Sequence, residues 1–309
     1  QLLLNDRNLY GSSSTEEKRR GRKQDHLFEN YVKLIKKHGI AKSEFIALIT
    51  KFAWIYKDCF KTNVLDKAVA KVPSINRLNM LMQAEGFWAP VPYILYVKAN
   101  VSNPDEQDKI FSYLESYLVR RIICKSSNNS YNDLFSQYLI GNQIATLAQL
   151  KAFLTNPERG DIQMPSDAEV TAALSVNDLA GEAKTLLYLL ESKQNATFTT
   201  SDFDNAFSQL QAEAVMPKKP CAAWPIPAGV EEADYLCITH TLGNYTLIRD
   251  GKLSAKTSVK PWAEKRGVLK ERCAGLEMGR VCNSPEWTVD MIASRNAGLA
   301  ELICKHWAA

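Results

Sequence analysis

The sequence lacks any apolar run near the roughly 18–20 residues needed to span a bilayer, which argues against a membrane-spanning helix. No signal-peptide pattern opens it. It also lacks C-x-x-C pairs: the seven cysteines, at 59, 124, 221, 237, 273, 282 and 304, are odd in number and scattered. That distribution argues against a disulfide framework and points to reduced thiols in a cytoplasm. Cys221, Cys237 and His240 are too widely spaced for the tight pairs of a structural zinc site. A strong charge of one sign is missing as well. The formal charge is +4, but cations gather at Lys18, Arg19, Arg20, Arg22 and Lys23 and again from Lys252 to Arg266. An anionic partner such as nucleic acid is thus permitted without being required. There is no internal repeat, and no methionine at the start: the chain opens at Gln1 in a polar, basic stretch, as an excised part of a longer protein would.

What is present is ordinary for a globular protein, with 46% hydrophobic and 23% charged residues in a chain long enough for two domains. Residues 1–25 have the composition of a linker. From His26 to about Phe60, apolar residues three and four apart predict two amphipathic helices separated by "KHGIAKSE". Further helices are expected over "SINRLNMLMQAEG", "WAPVPYILYVKAN" and "DEQDKIFSYLESYLVRRIICK", the last with an acidic start and a basic finish that suit the helix dipole. Others fall at 131–138, 144–154, 167–174 (with Ser166 as N-cap) and 178–192. Arg120 and Arg121 close their helix as a dipole-complementing pair, phosphate contact being the alternative.

The texture changes after "NATFTTSD". Prolines, glycines and short apolar strings such as "YLCIT" and "NYTLI" predict short strands, with a boundary near 193–200. A last helix is expected with Ser284 as cap and Pro285 at its first position, carrying Trp287, Met291, Arg295, Leu299, Leu302 and Trp307 along one side. The fold class expected is mainly α: a helical domain over 26–195, then a small module over 196–309.

Within that module "SQLQAEAVMPKKP" predicts a strand that ends at Glu213 and Ala214 and breaks at Pro217. A long loop, a second strand in "HTLGNYTLIRD" and a helix start in "GKLSAKTSVKPWAEKR" follow. Strand, loop, strand and helix is the layout of a ββα-metal (His-Me) finger. Phosphodiester hydrolysis in such a finger needs a base for the attacking water and a divalent cation to offset charge on the phosphate. A histidine at the first strand's end serves as base, and the acidic residue before it can bind the metal. The alanine at 214 cannot accept a proton.

Several strings, in order, resemble one family. "LESYLVRRIICKSSNNSYNDLF" looks like "sylvRRxiCg…yNklF", "MPSDAEV" like "WPsDeEf", and "AEAVMPK" like "IEHIMPQ" with the histidine missing. "HTLGNYTLI" is close to "hTLGNLTL" and "KPWAEKR" to "kPFeeKR", and Trp287, Ile292, Arg295, Leu299 and Trp307 meet the closing pattern. The family is the GmrSD type of modification-dependent restriction endonucleases, in its C-terminal nuclease portion. The likeness runs from about 110 to the C-terminus and more weakly from 26.

The resemblance implies a metal-dependent endonuclease acting on double-stranded DNA with Mg²⁺ or Mn²⁺, in antiviral defence. It also implies an N-terminal nucleotide-binding domain, no motif of which occurs here. Ala214 falls on the general base, Glu213 on a metal ligand and Asn244 on the residue that orients the base. The third metal position falls near Ser254, where the family has asparagine; Ser254 and Val259 stand in the asparagine places, the serine a weaker Mg²⁺ ligand than a carboxamide and the valine none. Lys256, Lys260, Lys265 and Arg266 flank the site and are candidates for DNA phosphates, a solvated basic face being the alternative. His240 reads as structural. The chain as written is expected to be nearly inactive, and the intact neighbours of Ala214 favour a replaced histidine over drift. The other reading is a degenerate finger that only binds DNA or docks its own protein.

Overall fold

The computed structural model describes residues 32, 35–37, 39–60, 65, 73–195, 198 and 205–309. The expected linker over 1–25 and most of the helix expected after His26 lie outside them. The chain forms two compact units interleaved in sequence.

The described residues of the first unit come from Gln1–Lys61, Trp88–Gln107 and Asn128–Phe153. They include α1 (Lys42–Phe60) and α3 (Val91–Asn100). A helical run over Tyr131–Gly141 is π-helical at its centre, Leu134–Tyr138. The buried Tyr93 hydroxyl donates to the Ile144 carbonyl at 3.0 Å. Glu106 accepts from the Leu147 amide at the start of α5 (Leu147–Leu154), placing a carboxylate where a helix N-terminus leaves its N–H groups unpaired.

The second unit takes Thr62–Phe87, Asp108–Ser127 and Leu154–Ala309, so residue 195, the expected boundary, falls inside it. Its helices include α2 (Ser74–Glu85) and the body of α4 (Pro104–Ile123). They continue with α6 (Asp167–Val176) and α7 (Ala183–Gln194). Ser166 and Glu169 form a reciprocal capping box on α6, as "PSDAEV" predicts. Every residue of α7 from Thr185 to Ser192 is buried, which makes it the central helix of the unit, with Tyr188 packed edge-on against Phe198 and Phe207. Arg120 and Arg121 are interior clamps. Arg120 donates to the Trp307 and Pro165 carbonyls and pairs with Asp167. Arg121 donates to Gln163 and Ser127 carbonyls. The Arg120 bond to Trp307 and that of the Trp307 indole to buried Glu115 weld α4 to the chain's end.

The sheet among the described residues is two antiparallel strands, β1 (Gln211–Ala214) and β2 (Tyr245–Ile248), with Glu213 opposite Thr246 and Ala214 opposite Tyr245. Between them "YLCIT" is not a strand but part of α8 (Glu232–His240). Tyr235 and Thr239, four apart, are its buried residues, and Glu232 and Asp234 suit its first turn; a short apolar run left the period undecided. After β2 come α9 (Ala255–Ser258), α10 (Trp262–Arg272) and a 3₁₀ turn, Glu277–Asn283.

The last helix, α11 (Val289–His306), begins later than expected. Ser284 ends the 3₁₀ turn, and Thr288 caps α11 by accepting from the Met291 amide. Its fully buried face is Ile292, Asn296, Leu299, Ala300 and Ile303, rotated from the stripe expected. No helix among the described residues is long and apolar enough to cross a membrane.

Candidate active site

β1 ends at a half-buried Ala214. Cross-strand partners share a face of a sheet, so the side chain at 214 shares its face with Tyr245. The Tyr245 hydroxyl is buried and has no hydrogen-bond partner among the described residues, and burial pushes its pKa up.

Beyond Ala214 the chain is fastened by Asn244, which lies in a 3₁₀ turn (Leu242–Asn244) and not in the second strand. Its Oδ1 accepts from the Met216 amide at 2.8 Å and from the Trp287 indole at 3.3 Å. Its Nδ2 donates to the Met216 and Thr239 carbonyls at 2.9 and 2.8 Å. The Asn244 carbonyl also accepts from the Val215 amide at 2.8 Å, so any orienting of residue 214 by Asn244 works through the backbone of the two residues that follow it. Gly243 is required by close approach: a Cβ there would stand 2.6 Å from both the Ile292 carbonyl oxygen and Asn296 Oδ1. The Gly243 amide donates to that same Oδ1.

Glu213 is buried. Its carboxylate accepts from the Ser258 hydroxyl at 3.0 Å and from the Leu253 amide at 3.4 Å. Ser254 caps α9, accepting from the Thr257 amide, and its hydroxyl also meets that of Thr257 at 2.9 Å. Both proposed metal positions thus already have protein partners. Among the described residues no three His, Cys, Asp or Glu side chains group to hold a metal. Mg²⁺ in protein sites rests on one or two carboxylates plus water and phosphate oxygens. Here the single carboxylate is engaged and the histidine is absent, so the donor set falls short of a metal centre.

Lys265 is fully buried, and Nζ donates to the Ala214 and Ser258 carbonyls at 2.8 Å each. Burial lowers its pKa to about 8, against the opposing pull of the nearby Glu213 carboxylate. Its ammonium faces inward and ties β1's end to the α9–α10 junction. Lys256 is exposed; Lys260 pairs with Glu264 at 3.0 Å; Arg266 donates to the Ser284 carbonyl. His240, at the end of α8, bonds through Nδ1 to the Leu236 carbonyl.

Three contributors escaped the sequence reading. Ser258 holds Glu213, and Asn296 holds Gly243 and Thr241. Arg295, expected only along one side of the last helix and in the closing pattern, donates to the Gly243 and Tyr245 carbonyls. The one available signal was polar residues in phase with the buried face of a helix, as with Asn296 between Ile292 and Ala300, or Lys265 four before Leu269.

Fold and site together define a mainly α protein in which a two-stranded sheet and a following helix converge on one strand end. Residues 164–302 match the family of GmrSD restriction endonucleases, C-terminal domain. No curated protein matches the chain.

Proposed function

We propose that residues 196–309 are a DNA endonuclease module of a restriction system, seen here without its general base. What carries this reading is Ala214: within the matched family region, a residue too small to react stands at a strand end opposite Tyr245, whose buried hydroxyl has no partner among the described residues. An imidazole at 214 would accept the proton of an attacking water and bring a ring nitrogen to the face Tyr245 occupies. Asn244 and Lys265 act as positioning residues, holding the Met216 peptide and the Ala214 carbonyl. Lys256, Lys260 and Arg266 are the phosphate contacts in this reading; Lys265 serves the strand end instead.

Mg²⁺ or Mn²⁺ belongs to the histidine-bearing form, with Glu213, and Ser254 by way of its hydroxyl, the protein groups nearest to the role. Glu213 would have to give up the Ser258 hydroxyl, and no step is routed through a metal here.

The test is Ala214→His, assayed for nicking of supercoiled plasmid with either cation. General bases contribute roughly 10²–10⁴ in rate, so the revertant should exceed the present chain by at least about a hundredfold. A revertant that folds and binds DNA yet stays inert with both cations would sink the enzyme reading. The engaged state of Glu213 and Ser254 favours a second one, a module that only grips duplex DNA or docks the rest of its protein, and that inert outcome would support it.

A further inference from the structure

At the opposite end of α10 from Lys265, two cysteines face each other. Cys273 caps the C-terminus of α10 and Cys282 lies in the 3₁₀ turn Glu277–Asn283. Their Sγ atoms are 3.4 Å apart, and both side chains are buried. A disulfide requires about 2.05 Å, so the sulfurs need to close by a little over 1 Å. The approach is built into the turn. A Cβ at Gly279 would stand 2.6 Å from Cys273 Cβ and 2.7 Å from its Sγ, so only glycine lets the turn lie this close to the thiol.

The turn is also held from the other side. Glu191 accepts from the Glu277 and Met278 amides, and the Met278 carbonyl accepts from Thr246 and Arg295. Both thiols line a cavity of about 520 Å³, whose wall also carries Lys270, Asn195 and Asn283. Pockets of this size accommodate small organic ligands.

We propose that Cys273 and Cys282 are a modification site: a dithiol that a carboxylate-bearing low-molecular-weight disulfide, of the glutathione class, converts reversibly into an intramolecular disulfide. The Cys273 thiolate attacks one sulfur of the reagent, forming a mixed disulfide and expelling one thiolate, which takes up a proton. Cys282 then loses its proton and attacks the Cys273 sulfur, releasing the second thiol. Two protein thiols give up two electrons and two protons, and the reagent becomes two thiols. The cavity is the entry for the reagent, with Lys270 matching its carboxylates. The thiol pair also divides the roles. Cys273, the less deeply buried of the two, is the attacker, while contact with Cys273 and burial push the Cys282 thiol up.

The site stands independently of the nuclease reading, and its test reads no activity. The folded, reduced chain is incubated with oxidised glutathione, quenched with an alkylating agent, digested and mapped by mass spectrometry. The expected result is a peptide pair joining Cys273 to Cys282, abolished by dithiothreitol, while the exposed Cys237 is alkylated or carries glutathione. In Cys282→Ser the mixed disulfide should persist at Cys273, since nothing resolves it. Recovery of both cysteines as thiols after Cys237 has reacted would overturn the proposal. So would a mixed disulfide at Cys273 of the unsubstituted chain that never closes. If Cys282→Ser fails to fold, the map of the unsubstituted chain decides alone.

Discussion

Asn244 and Lys265 show how single polar side chains hold the strand end. Truncating Asn244 to alanine would strip partners from the buried Met216 N–H and from the Met216 and Thr239 carbonyls. Each buried group left unpaired costs about 1–3 kcal/mol. Asn244→Ala should therefore lose roughly 3 kcal/mol or more, read as a lower urea midpoint at unchanged slope. An unmoved midpoint would contradict the bonding described.

Lys265 carries a pH signature. Its folded-state pKa is depressed from 10.5 to about 8, so between those values the unfolded chain binds a proton that the folded chain has released. Stability contributed by Lys265 therefore rises with pH across that window and is flat below it. The shift corresponds to roughly 3 kcal/mol at most. The stability of the unsubstituted chain relative to Lys265→Met should increase by up to that amount from pH 8 to above 10. A difference that stays level or falls would show that the ammonium is not held as described.

At the scale of elements, caps and close approaches set where helices start and how they meet. Ser166→Ala removes one half of the α6 capping box and should cost about 1 kcal/mol, seen as a lowered thermal midpoint. Gly243→Ala is the more severe change. Its Cβ would meet a backbone oxygen of α11, which cannot rotate away as a side-chain end can. Displacing α11 from the 3₁₀ turn falls in the range of overpacked cores, about 1–3 kcal/mol, and also disturbs Asn244 next to it. A Gly243→Ala protein as stable as its parent would mean that the two elements are not in contact.

The element reading also shows what a sequence pattern can carry. α4, with acids in its first turn and arginines in its last, was legible as a helix because those signals are local, whereas the inward bonding of Arg120 and Arg121 was not. α8 was not, because nine residues with a weak apolar period fit strand and helix alike. Its helical state follows from Tyr235 and Thr239 packing on one side, a matter of what lies beneath them.

For the molecule as a whole, the charge pattern yields a test of how it would meet DNA. Each phosphate neutralised contributes about 0.9 to the slope of log affinity against log salt. Lys256→Ala should flatten that slope by roughly this amount, whereas Lys265→Met should leave it unchanged, because its ammonium lies inside. Equal flattening by both would place Lys265 on the nucleic acid after all.

By itself the sequence determined the mainly helical class, the capping box, the strand that stops at Ala214 and the absence of an imidazole there. Each of these is written in neighbouring residues, in a period, a cap or a missing side chain. Only the tertiary structure decided that Glu213 meets Ser258, that Lys265 turns inward to the Ala214 carbonyl, and that Cys273 lies against Cys282 across Gly279. Those partners are set by how α9, α10 and the 3₁₀ turn pack, because a buried polar group takes whichever partner the surrounding elements bring within hydrogen-bond reach.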